Sequence, residues 1–301
     1  MDLREEVRNG FTVSAKMKSV WAVQMKLAAK MFEVCRKHNL RVWADGGTLL
    51  GTVREHGFIP WDDDIDLCMF RDDYDRLQEI AAEEFRHPYF FQSAYTEKNY
   101  IYGHSQLRMD GTAAILPQDI NKDFHQGIFI DIFVYDAIPD SEQKRDAMKK
   151  TAVRMMENLE IFTLGIPGWK YYVVPRYMSR RREINRIREK GAVSAFREYE
   201  DVFRSNSISD FGQVGAIAFM FDRNIKHNIS KNDYSETLYM PFEDMEMPVP
   251  KGYGHILTGM YGDYMKPAKA PTLHGGFEVM DAEKSYTEYL PELRKRMRAR
   301  R

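Results

Sequence analysis

The fold of this chain is decided by the stretch DGGTLLGTVREHGFIPWDDDID at residues 45–66. Its paired glycines, Gly46 and Gly47, lack a Cβ atom and lead into a helix that we predict at residues 48–55. The N–H groups and the positive dipole end of a helix start favour a bound phosphate. The stretch therefore predicts an anion-binding turn, to which Arg54 could add a guanidinium.

Three carboxylates follow the turn in the same stretch. We predict a strand that starts at Trp61, and because successive strand side chains point to opposite faces, Asp62, Asp64 and Asp66 would share one face. Apolar residues on both sides of the acidic run indicate a strand that enters a core, where unpaired carboxylates are unfavourable. Oxygen ligands of this kind suit Mg²⁺ or Mn²⁺, which also bind substrate phosphates. The alternative, a solvated acidic face, is disfavoured by the apolar flanks.

A further carboxylate lies inside an apolar run. Asp131 is the one charge in the sequence GIFIDIFVY at residues 127–135, whose β-branched and aromatic content predicts a central strand. Burial of a lone carboxylate costs on the order of several kcal/mol unless a partner neutralises it, and a shared metal would be such a partner. The alternative is an edge strand whose aspartate faces water. Asp136, at the end of this run, is predicted to be a turn residue.

A metal site and a phosphate-binding turn so close together favour phosphoryl or nucleotidyl transfer, and the composition excludes other classes. The 44 basic and 45 acidic residues give a net charge of −1, so no global field attracts nucleic acid. Two cysteines are too few for a disulfide framework or a structural zinc site. The sequence shows neither an apolar run of membrane-spanning length nor a signal-peptide core at its start, so we expect a cytoplasmic protein.

The residues around these motifs predict mainly helices. Apolar residues at three- and four-residue steps predict a helix at residues 13–38, followed by a short strand at residues 40–44 that feeds the glycine pair. A second helix is predicted at residues 71–85. Asp72 and Asp75 have the spacing of its N-cap and N3 positions, so we assign them to capping.

The stretch GGTLLGTVR followed by GFIPWDDDID resembles the signature of the LicD family of phosphorylcholine transferases, which also includes fukutin-related ribitol-phosphate transferases. Residues 107–112, 127–133 and 261–274 resemble later motifs of that family, so the resemblance extends over about residues 17–275. Two departures stand out. Glu55 follows Arg54 where many members have Arg-His directly, and no cysteine cluster is present to hold the zinc of the animal relatives.

The resemblance implies an α+β fold with a nucleotidyltransferase-like mixed β-sheet core flanked by helices. We expect the catalytic core at residues 1–140, a helical insertion at residues 141–210, and a C-terminal segment at residues 211–301 that packs back on the core and completes the site. The apolar residues 161–175 and the basic residues 176–190 could rest against an anionic membrane surface, with a solvated helix as the alternative.

The resemblance also implies a role for each matching residue. The expected ligands of Mg²⁺ or Mn²⁺ are Asp62, Asp64, Asp66 and Asp131, of which the last three are also the expected catalytic residues. The expected substrate-binding residues are Gly46, Gly47, Thr48, Arg54, Arg108 and His274. Asp131 is expected to accept the proton of the attacking hydroxyl.

The expected reaction is metal-dependent transfer of an alcohol phosphate, in the first place phosphocholine from CDP-choline, with release of CMP. The partners would be a CDP-activated alcohol and a glycan or polyol acceptor, such as a lipid-linked, lipopolysaccharide or teichoic-acid-type precursor at the inner face of the cytoplasmic membrane. Nucleic acid is not expected. The alternatives are nucleotidyl transfer with release of pyrophosphate, and an inactive nucleotide-binding scaffold. A choline head group needs an aromatic face, but the sequence singles out no aromatic cage.

Overall fold

The computed structural model describes residues 1–165, 169–218, 229–267 and 276–299. The α-helices in this part of the chain are α1 (Ala15–Lys37), α2 (Gly46–Arg54), α3 (Arg71–Glu84), α4 (Glu142–Thr163), α5 (Lys170–Val173), α6 (Pro175–Met178), α7 (Arg181–Lys190), α8 (Ala192–Arg204), α9 (Tyr253–Tyr261) and α10 (Tyr286–Ala299). The strands are β1 (Glu6–Arg8), β2 (Phe11–Val13), β3 (Trp43–Ala44), β4 (Asp66–Phe70), β5 (Tyr89–Gln92), β6 (His104–Met109), β7 (Ala113–Ile115), β8 (Phe129–Ile138), β9 (Gln213–Gly215), β10 (Thr237–Phe242), β11 (Met245–Pro250) and β12 (Val279–Asp281).

A mixed β-sheet forms the centre of the fold. Its strand order is β3-β4-β8-β6-β5, and β9 pairs with the far end of β8. Strands β4 and β8 run parallel, whereas the other pairs are antiparallel. Strand β8 is buried along nearly its whole length, as the apolar run around Asp131 predicts. The mixed sheet with its flanking helices confirms the predicted α+β class.

Helix α1 packs one face against this sheet. Ser14 caps it by accepting a hydrogen bond from the N–H of Met17 at 3.2 Å, which satisfies one of the unpaired donors at the helix start. Val20, Leu27 and Met31 recur at helical spacing and are buried, so the amphipathic pattern found in the sequence correctly predicts this helix.

The same helix fixes the loop that precedes β4. The indole N–H of Trp21 donates to the carbonyl of Asp62 at 3.1 Å, and the side-chain amide of Gln24 donates to the carbonyl of Asp63 at 2.8 Å. Two peptide groups that would otherwise be buried without partners are thereby satisfied. Side chains of α1 thus hold the acidic loop at Asp62 and Asp63, and contact with β8 begins only at Ile65, whose carbonyl accepts from the N–H of Asp131 at 2.9 Å.

The predicted strand start at Trp61 is wrong for that reason. The regular strand begins only at Asp66, and residues 61–65 form a turn and an extended loop. Asp62 and Asp64 thus do not alternate along a strand with Asp66. They reach the site from the loop instead.

Helix α2 begins two residues earlier than predicted. Asp45 is its N-cap, so Gly46 and Gly47 form the first turn of the helix rather than the turn before it. An aspartate at the N-cap accepts hydrogen bonds from the first N–H groups, which explains why the helix starts there.

Helices α4, α7 and α8 pack around a second apolar cluster beside the carboxyl end of β8. The guanidinium of Arg71, at the start of α3, joins this cluster to the sheet. It donates to both carboxylate oxygens of Asp136 on β8, at 2.8 and 2.7 Å, and to Glu200 on α8 at 2.7 Å. The three side chains are buried.

This ion network corrects two sequence predictions. Asp136 is a buried strand residue paired with Arg71 and not a turn residue. Phe70 is the N-cap of α3, so Asp72 does not cap that helix, and Asp75 pairs with Arg204 of α8. The spacing of Asp72 and Asp75 suggested capping because it cannot reveal that Arg204, more than 100 residues later in the chain, pairs with Asp75.

The C-terminal part of the chain packs back on the core. Strand β12 pairs antiparallel with β7, α10 packs on β7, and α9 lies against α2. The hairpin β10–β11 covers β3 and α2. Among the described helices, none combines the length and the apolar character that a bilayer-spanning helix needs.

We predict that Arg71→Leu destabilises the protein by about 3–5 kcal/mol, because Asp136 and Glu200 would be left buried without a counter-ion. Burial already raises the pKa of Asp136. Removal of the guanidinium would raise this pKa further above the unfolded value, so stability should fall as the pH increases and the loss should be larger at pH 8 than at pH 5.5. Urea denaturation at the two pH values measures both effects.

The matched control is Arg76→Leu, because Arg76 is an exposed arginine of the same helix. Its effect should stay within about 0.5 kcal/mol. A loss below about 1 kcal/mol for Arg71→Leu would contradict a structural role for the network.

Candidate active site

The first turn of α2 and the start of β4 are joined by backbone hydrogen bonds. The N–H of Asp45 donates to the carbonyl of Asp66 at 3.0 Å, and the N–H of Asp66 donates to the hydroxyl of Thr48 at 2.8 Å. Thr48, one of the predicted substrate-binding residues, therefore uses its side chain to hold Asp66 in place. These two bonds fix the helix start against the strand that carries a predicted catalytic carboxylate.

Asp45 itself is a buried residue to which the sequence assigned no role. Its carboxylate accepts from the N–H of Gly46 at 2.8 Å and, through both oxygens, from the hydroxyl of Tyr135 at 2.9 Å. Burial raises its pKa, although these bonds act in the opposite direction. In the sequence, only the position of Asp45 directly before the glycine pair could have indicated that it belongs to the site.

The two glycines are needed because carboxylates lie against them. A Cβ atom on Gly46 would lie 3.2 Å from a carboxylate oxygen of Asp66, and the φ angle of Gly46 is +50°. A Cβ atom on Gly47 would lie 2.5 Å from a carboxylate oxygen of Asp62, closer than two such atoms can approach. The helix start thus faces carboxylates directly, so a phosphate bound here would share the space with them.

The structure brings the three predicted catalytic carboxylates together. Asp64, Asp66 and Asp131 each offer one oxygen, and these oxygens lie within 4.8 Å of one another. Asp66 and Asp131 are directly paired residues of the parallel strands β4 and β8, so their side chains share one face of the sheet. Asp62 and Asp63 form a second acidic group with Asp64, which links the predicted ligand Asp62 to the cluster.

The electrostatics of this cluster favour a cation. Burial raises the pKa of Asp66 well above its usual value, and the charges of Asp64 and Asp131 raise it further. A divalent cation among the three carboxylates would remove this repulsion. The set consists of oxygen donors alone, which fits Mg²⁺ or Mn²⁺ and not a softer metal.

Asp131 is oriented by two neighbours on β6. The side-chain N–H of Gln106 donates to Asp131 Oδ1 at 2.7 Å, and His104 Nε2 lies 3.2 Å from the same oxygen. Gln106 in turn accepts a hydrogen bond from Arg108. Because a guanidinium only donates, the amide of Gln106 must present its oxygen to Arg108 and its nitrogen to Asp131.

Arg108 acts on the site through that amide. It is buried, donates to Gln92, to Gln106 and, at 2.6 Å, to the carbonyl of Gly127, and lies over the ring of Phe129 at 4.7 Å. Burial lowers its pKa. These bonds use three of its five N–H groups, and its contact with a phosphate, which the sequence predicted, stays a prediction.

Arg54 lies in the last turn of α2, about 10 Å of helix rise from Gly47. Its guanidinium donates to Glu55 at 2.7 Å and to the carbonyl of Tyr264 at 3.0 Å. Glu55 also accepts from Asn9 at 2.7 Å, which accounts for the residue that departs from the family pattern. Arg54 therefore ties α2 to the C-terminal segment, and its contact with an anion at the glycines stays a prediction.

Two further features complete the surroundings. Tyr261, at the end of α9, has its pKa raised by partial burial and by the carboxylates of Asp45 and Asp66. A recess of about 270 Å³ opens beside the catalytic carboxylates and is walled by aromatic side chains, among them Tyr100 and Phe124. The predicted residue His274 lies outside the described residues.

We predict that millimolar Mg²⁺ raises the melting temperature of the protein and that Asp66→Asn abolishes this shift. A ligand that binds only the native state stabilises it by about 2.7 kcal/mol at 100 times its dissociation constant. Without metal, Asp66→Asn should melt at the same or a higher temperature, because a repelling charge is removed. Thermal unfolding with Mg²⁺ and with EDTA measures both results.

Asp72→Asn is the matched control, since it removes an exposed carboxylate from α3. Mg²⁺ should raise the melting temperature of this variant as much as that of the wild type. If Mg²⁺ raises the melting temperature of Asp66→Asn as much as that of the wild type, the metal does not bind at Asp66.

Comparison with known proteins agrees with this architecture. Residues 39–164 match the model of the nucleotidyltransferase domain of the LicD/FKTN/FKRP family. Over 242 residues the sequence is 26% identical to the lipopolysaccharide cholinephosphotransferase LicD of Haemophilus influenzae, and the match covers 77% of this chain and 85% of that protein.

Two shorter matches involve uncharacterized proteins. One from Rickettsia prowazekii is 42% identical over 64 residues, which cover 21% of this chain and 22% of that protein. Another, from Rickettsia typhi, is 41% identical over 71 residues, which cover 23% of this chain and 21% of that protein. The glycine pair, the acidic loop and Asp131 all lie within the segment that matches the family model. Residues 39–164 therefore resemble the nucleotidyltransferase domain of the LicD/FKTN/FKRP family, within a chain that is similar over most of its length to a LicD protein.

Proposed function

We propose that this protein transfers an alcohol phosphate, in the first place phosphocholine, from a CDP-activated donor to a hydroxyl of a glycan, with release of CMP and with the help of Mg²⁺ or Mn²⁺. The observation that carries the proposal is the cluster of Asp64, Asp66 and Asp131 at the start of α2. The match of residues 39–164 to the LicD/FKTN/FKRP family model, together with the similarity to a lipopolysaccharide cholinephosphotransferase, supports a phosphotransferase and a glycan acceptor.

In this reaction Asp64, Asp66 and Asp131 would hold the metal, with Asp62 next to them. The metal would supply charge neutralisation of the diphosphate and of the departing CMP. The start of α2 lies against the carboxylates of Asp62 and Asp66, and its dipole would add to this effect.

The chemical step is attack of the acceptor hydroxyl on the phosphorus that carries the alcohol. A new oxygen–phosphorus bond forms, and the bond between that phosphorus and the bridging oxygen breaks, so that CMP leaves with the electron pair. Asp131 is the proposed acceptor of the hydroxyl proton. Its orientation by Gln106 and by His104 would keep an oxygen directed at the attacking group.

Nucleotidyl transfer is the second candidate, because the matching family model describes a nucleotidyltransferase domain. The same carboxylates could assist attack of an acceptor hydroxyl on the phosphorus next to the nucleoside of a triphosphate such as CTP. Pyrophosphate would then leave, and a nucleoside monophosphate would remain on the acceptor. An inactive scaffold is disfavoured because all three carboxylates are present and close together.

We predict that the protein releases CMP from CDP-choline and transfers the labelled choline to glycan material when membranes of the source organism supply the acceptor. EDTA and Asp64→Asn should each reduce the rate at least a hundredfold, because the charge on the departing CMP would lose its counter-ion. Chromatography of the nucleotides and counting of the labelled glycan measure the two products.

Release of pyrophosphate from CTP, with no CMP from CDP-choline, CDP-glycerol or CDP-ribitol, would replace the proposal by nucleotidyl transfer. Absence of both products, in a preparation that retains its Mg²⁺-dependent thermal shift, would favour the scaffold.

We also propose that the protein binds the membrane surface that carries the acceptor, and that the short helices α5 and α6 make this contact. Trp169, Val173 and Met178 are 63%, 60% and 50% exposed there, which is unusual for large apolar side chains so close together. Lys170 and Arg176 lie between them in the sequence and add positive charge. Apolar side chains flanked by basic ones are suited to an interface with anionic lipids.

We predict that the protein cosediments with vesicles containing phosphatidylglycerol and not with vesicles of phosphatidylcholine alone. Replacement of both Trp169 and Val173 by Ala should weaken this binding severalfold, because the apolar contact is lost. Tyr239→Ala is the control, since Tyr239 is an equally exposed aromatic residue on β10. Equal binding of the double variant and the wild type would rule out this surface.

A further inference from the structure

We propose that a basic groove between α4 and the segment directly after α6 binds the phosphate head group of an anionic phospholipid. Lys149 and Lys150 of α4 supply the positive charge that meets this phosphate. The inference rests on the membrane contact proposed above for α5 and α6. It adds a lipid site that is separate from the centre where the reaction takes place.

The groove is large enough for a lipid head group. Its volume is about 760 Å³, which lies within the range of roughly 300–1,000 Å³ that small-molecule sites occupy. Among the described residues, the lining of the groove shares none with the recess beside the catalytic carboxylates. A molecule bound in the groove therefore does not occupy the catalytic centre.

Positive charge is concentrated in this part of the chain. Residues 141–190 contain 13 basic and 6 acidic side chains, although the whole chain has a net charge of −1. The charged residues of the groove are Lys149, Lys150, Arg154 and Arg180 together with Asp146 and Glu157. This excess of positive charge attracts anions.

The two arginines of the groove already have carboxylate partners. Arg154 is bonded to Glu183 of α7. Arg180 is bonded to Glu157 and, at 3.2 Å, to Asn158 Oδ1, both on α4. These bonds hold the two walls of the groove together and leave the binding of an added anion to the lysines.

Lys149 and Lys150 have no comparable partner. Within the described part of the chain, neither ammonium takes part in a hydrogen bond or an ion pair, although Lys149 is half-buried. A partly buried ammonium is more stable with a counter-ion beside it. The remaining acid of the groove, Asp146, is exposed, and its single charge offsets only one of the two lysines.

One face of α4 connects the groove to the proposed membrane contact. Steps of three, four and seven residues place the following side chains on that face: Asp146, Lys150, Val153, Glu157 and Leu164. Leu164, directly after the last residue of α4, is 70% exposed. A bilayer that receives this leucine along the face of α4 therefore also meets the groove.

The other wall of the groove adjoins the same contact. Ser179 and Arg180 directly follow α6, and the preceding residue, Met178, is an exposed apolar residue of that helix. Apolar side chains beside basic ones match the two layers of a lipid, its acyl chains and its phosphate. This combination favours a phospholipid over a soluble anion. A zwitterionic lipid would bring a further positive charge into a groove that already has an excess of them.

The test uses dihexanoyl-phosphatidylglycerol below its critical micelle concentration, so that single lipid molecules bind and no charged surface is present. Isothermal titration calorimetry with the full-length protein measures the affinity. We expect this lipid to bind about fivefold more tightly than dihexanoyl-phosphatidylcholine, which has no net charge. We expect inorganic phosphate to bind more weakly than the anionic lipid, because it lacks the apolar contact.

Combined replacement of Lys149 and Lys150 by Gln should weaken binding of the anionic lipid about tenfold or more, since each lysine beside such a lipid contributes about fivefold in affinity. Combined replacement of Arg182 and Arg188 by Gln is the matched control, because both are exposed on α7 and lie outside the lining of the groove. The control should bind within about twofold of the wild type. Melting temperatures identify any variant that is unfolded.

Equal losses in the lysine variant and in the control would show that only the overall charge matters and would overturn the inference. Inorganic phosphate that binds as tightly as the lipid, or absence of lipid binding to the wild type, would overturn it as well. The proposed membrane contact and the proposed reaction have readouts of their own, vesicle cosedimentation and CMP release. Failure of either, with lysine-dependent binding of the soluble lipid retained, would leave the groove standing.

Discussion

The mutual repulsion of Asp64, Asp66 and Asp131 is the constraint on which the rest of this structure depends. The parallel pairing of β4 with β8 forces two of these carboxylates onto the same face of the sheet, and the acidic loop adds the third. Such an arrangement is unfavourable in an apo protein and becomes favourable when a divalent cation binds. The cluster of three carboxylates therefore has to be held in place by other parts of the fold that oppose the repulsion.

Those elements can be identified. Helix α1 holds the acidic loop through Trp21 and Gln24, which bond to backbone carbonyls and leave the carboxylates for the site. The glycine pair lets the start of α2 come against Asp62 and Asp66 without a steric clash. The dipole of α2 places partial positive charge beside the carboxylates. The same glycines thus serve the metal site and the expected phosphate site.

The local parts of this site could be predicted from the sequence, whereas its distant contacts could not. The glycine pair, the helix after it and the buried strand around Asp131 follow from residue type and spacing alone. The strand expected at Trp61 is absent because side chains of α1, some 40 residues earlier, bind the backbone there. Phosphate contacts are predicted for Arg54 and Arg108 because an arginine beside such motifs favours an anion, but the sequence could not show that these side chains also bond to Tyr264, Gln92 and Gly127, which are distant in the chain. The aromatic recess escaped notice because Tyr100, Tyr102 and Phe124 meet only in the fold, although Tyr100, Tyr102 and His104 alternate along the chain.

The assignment of the catalytic centre is tested most directly by the anomalous scattering of Mn²⁺ in crystals grown with CDP-choline. We expect a peak bounded by Asp64, Asp66 and Asp131 and in contact with the donor diphosphate. A peak bound only by the neighbouring group of Asp62, Asp63 and Asp64, or no peak when the nucleotide is present, would contradict the assignment of the catalytic centre.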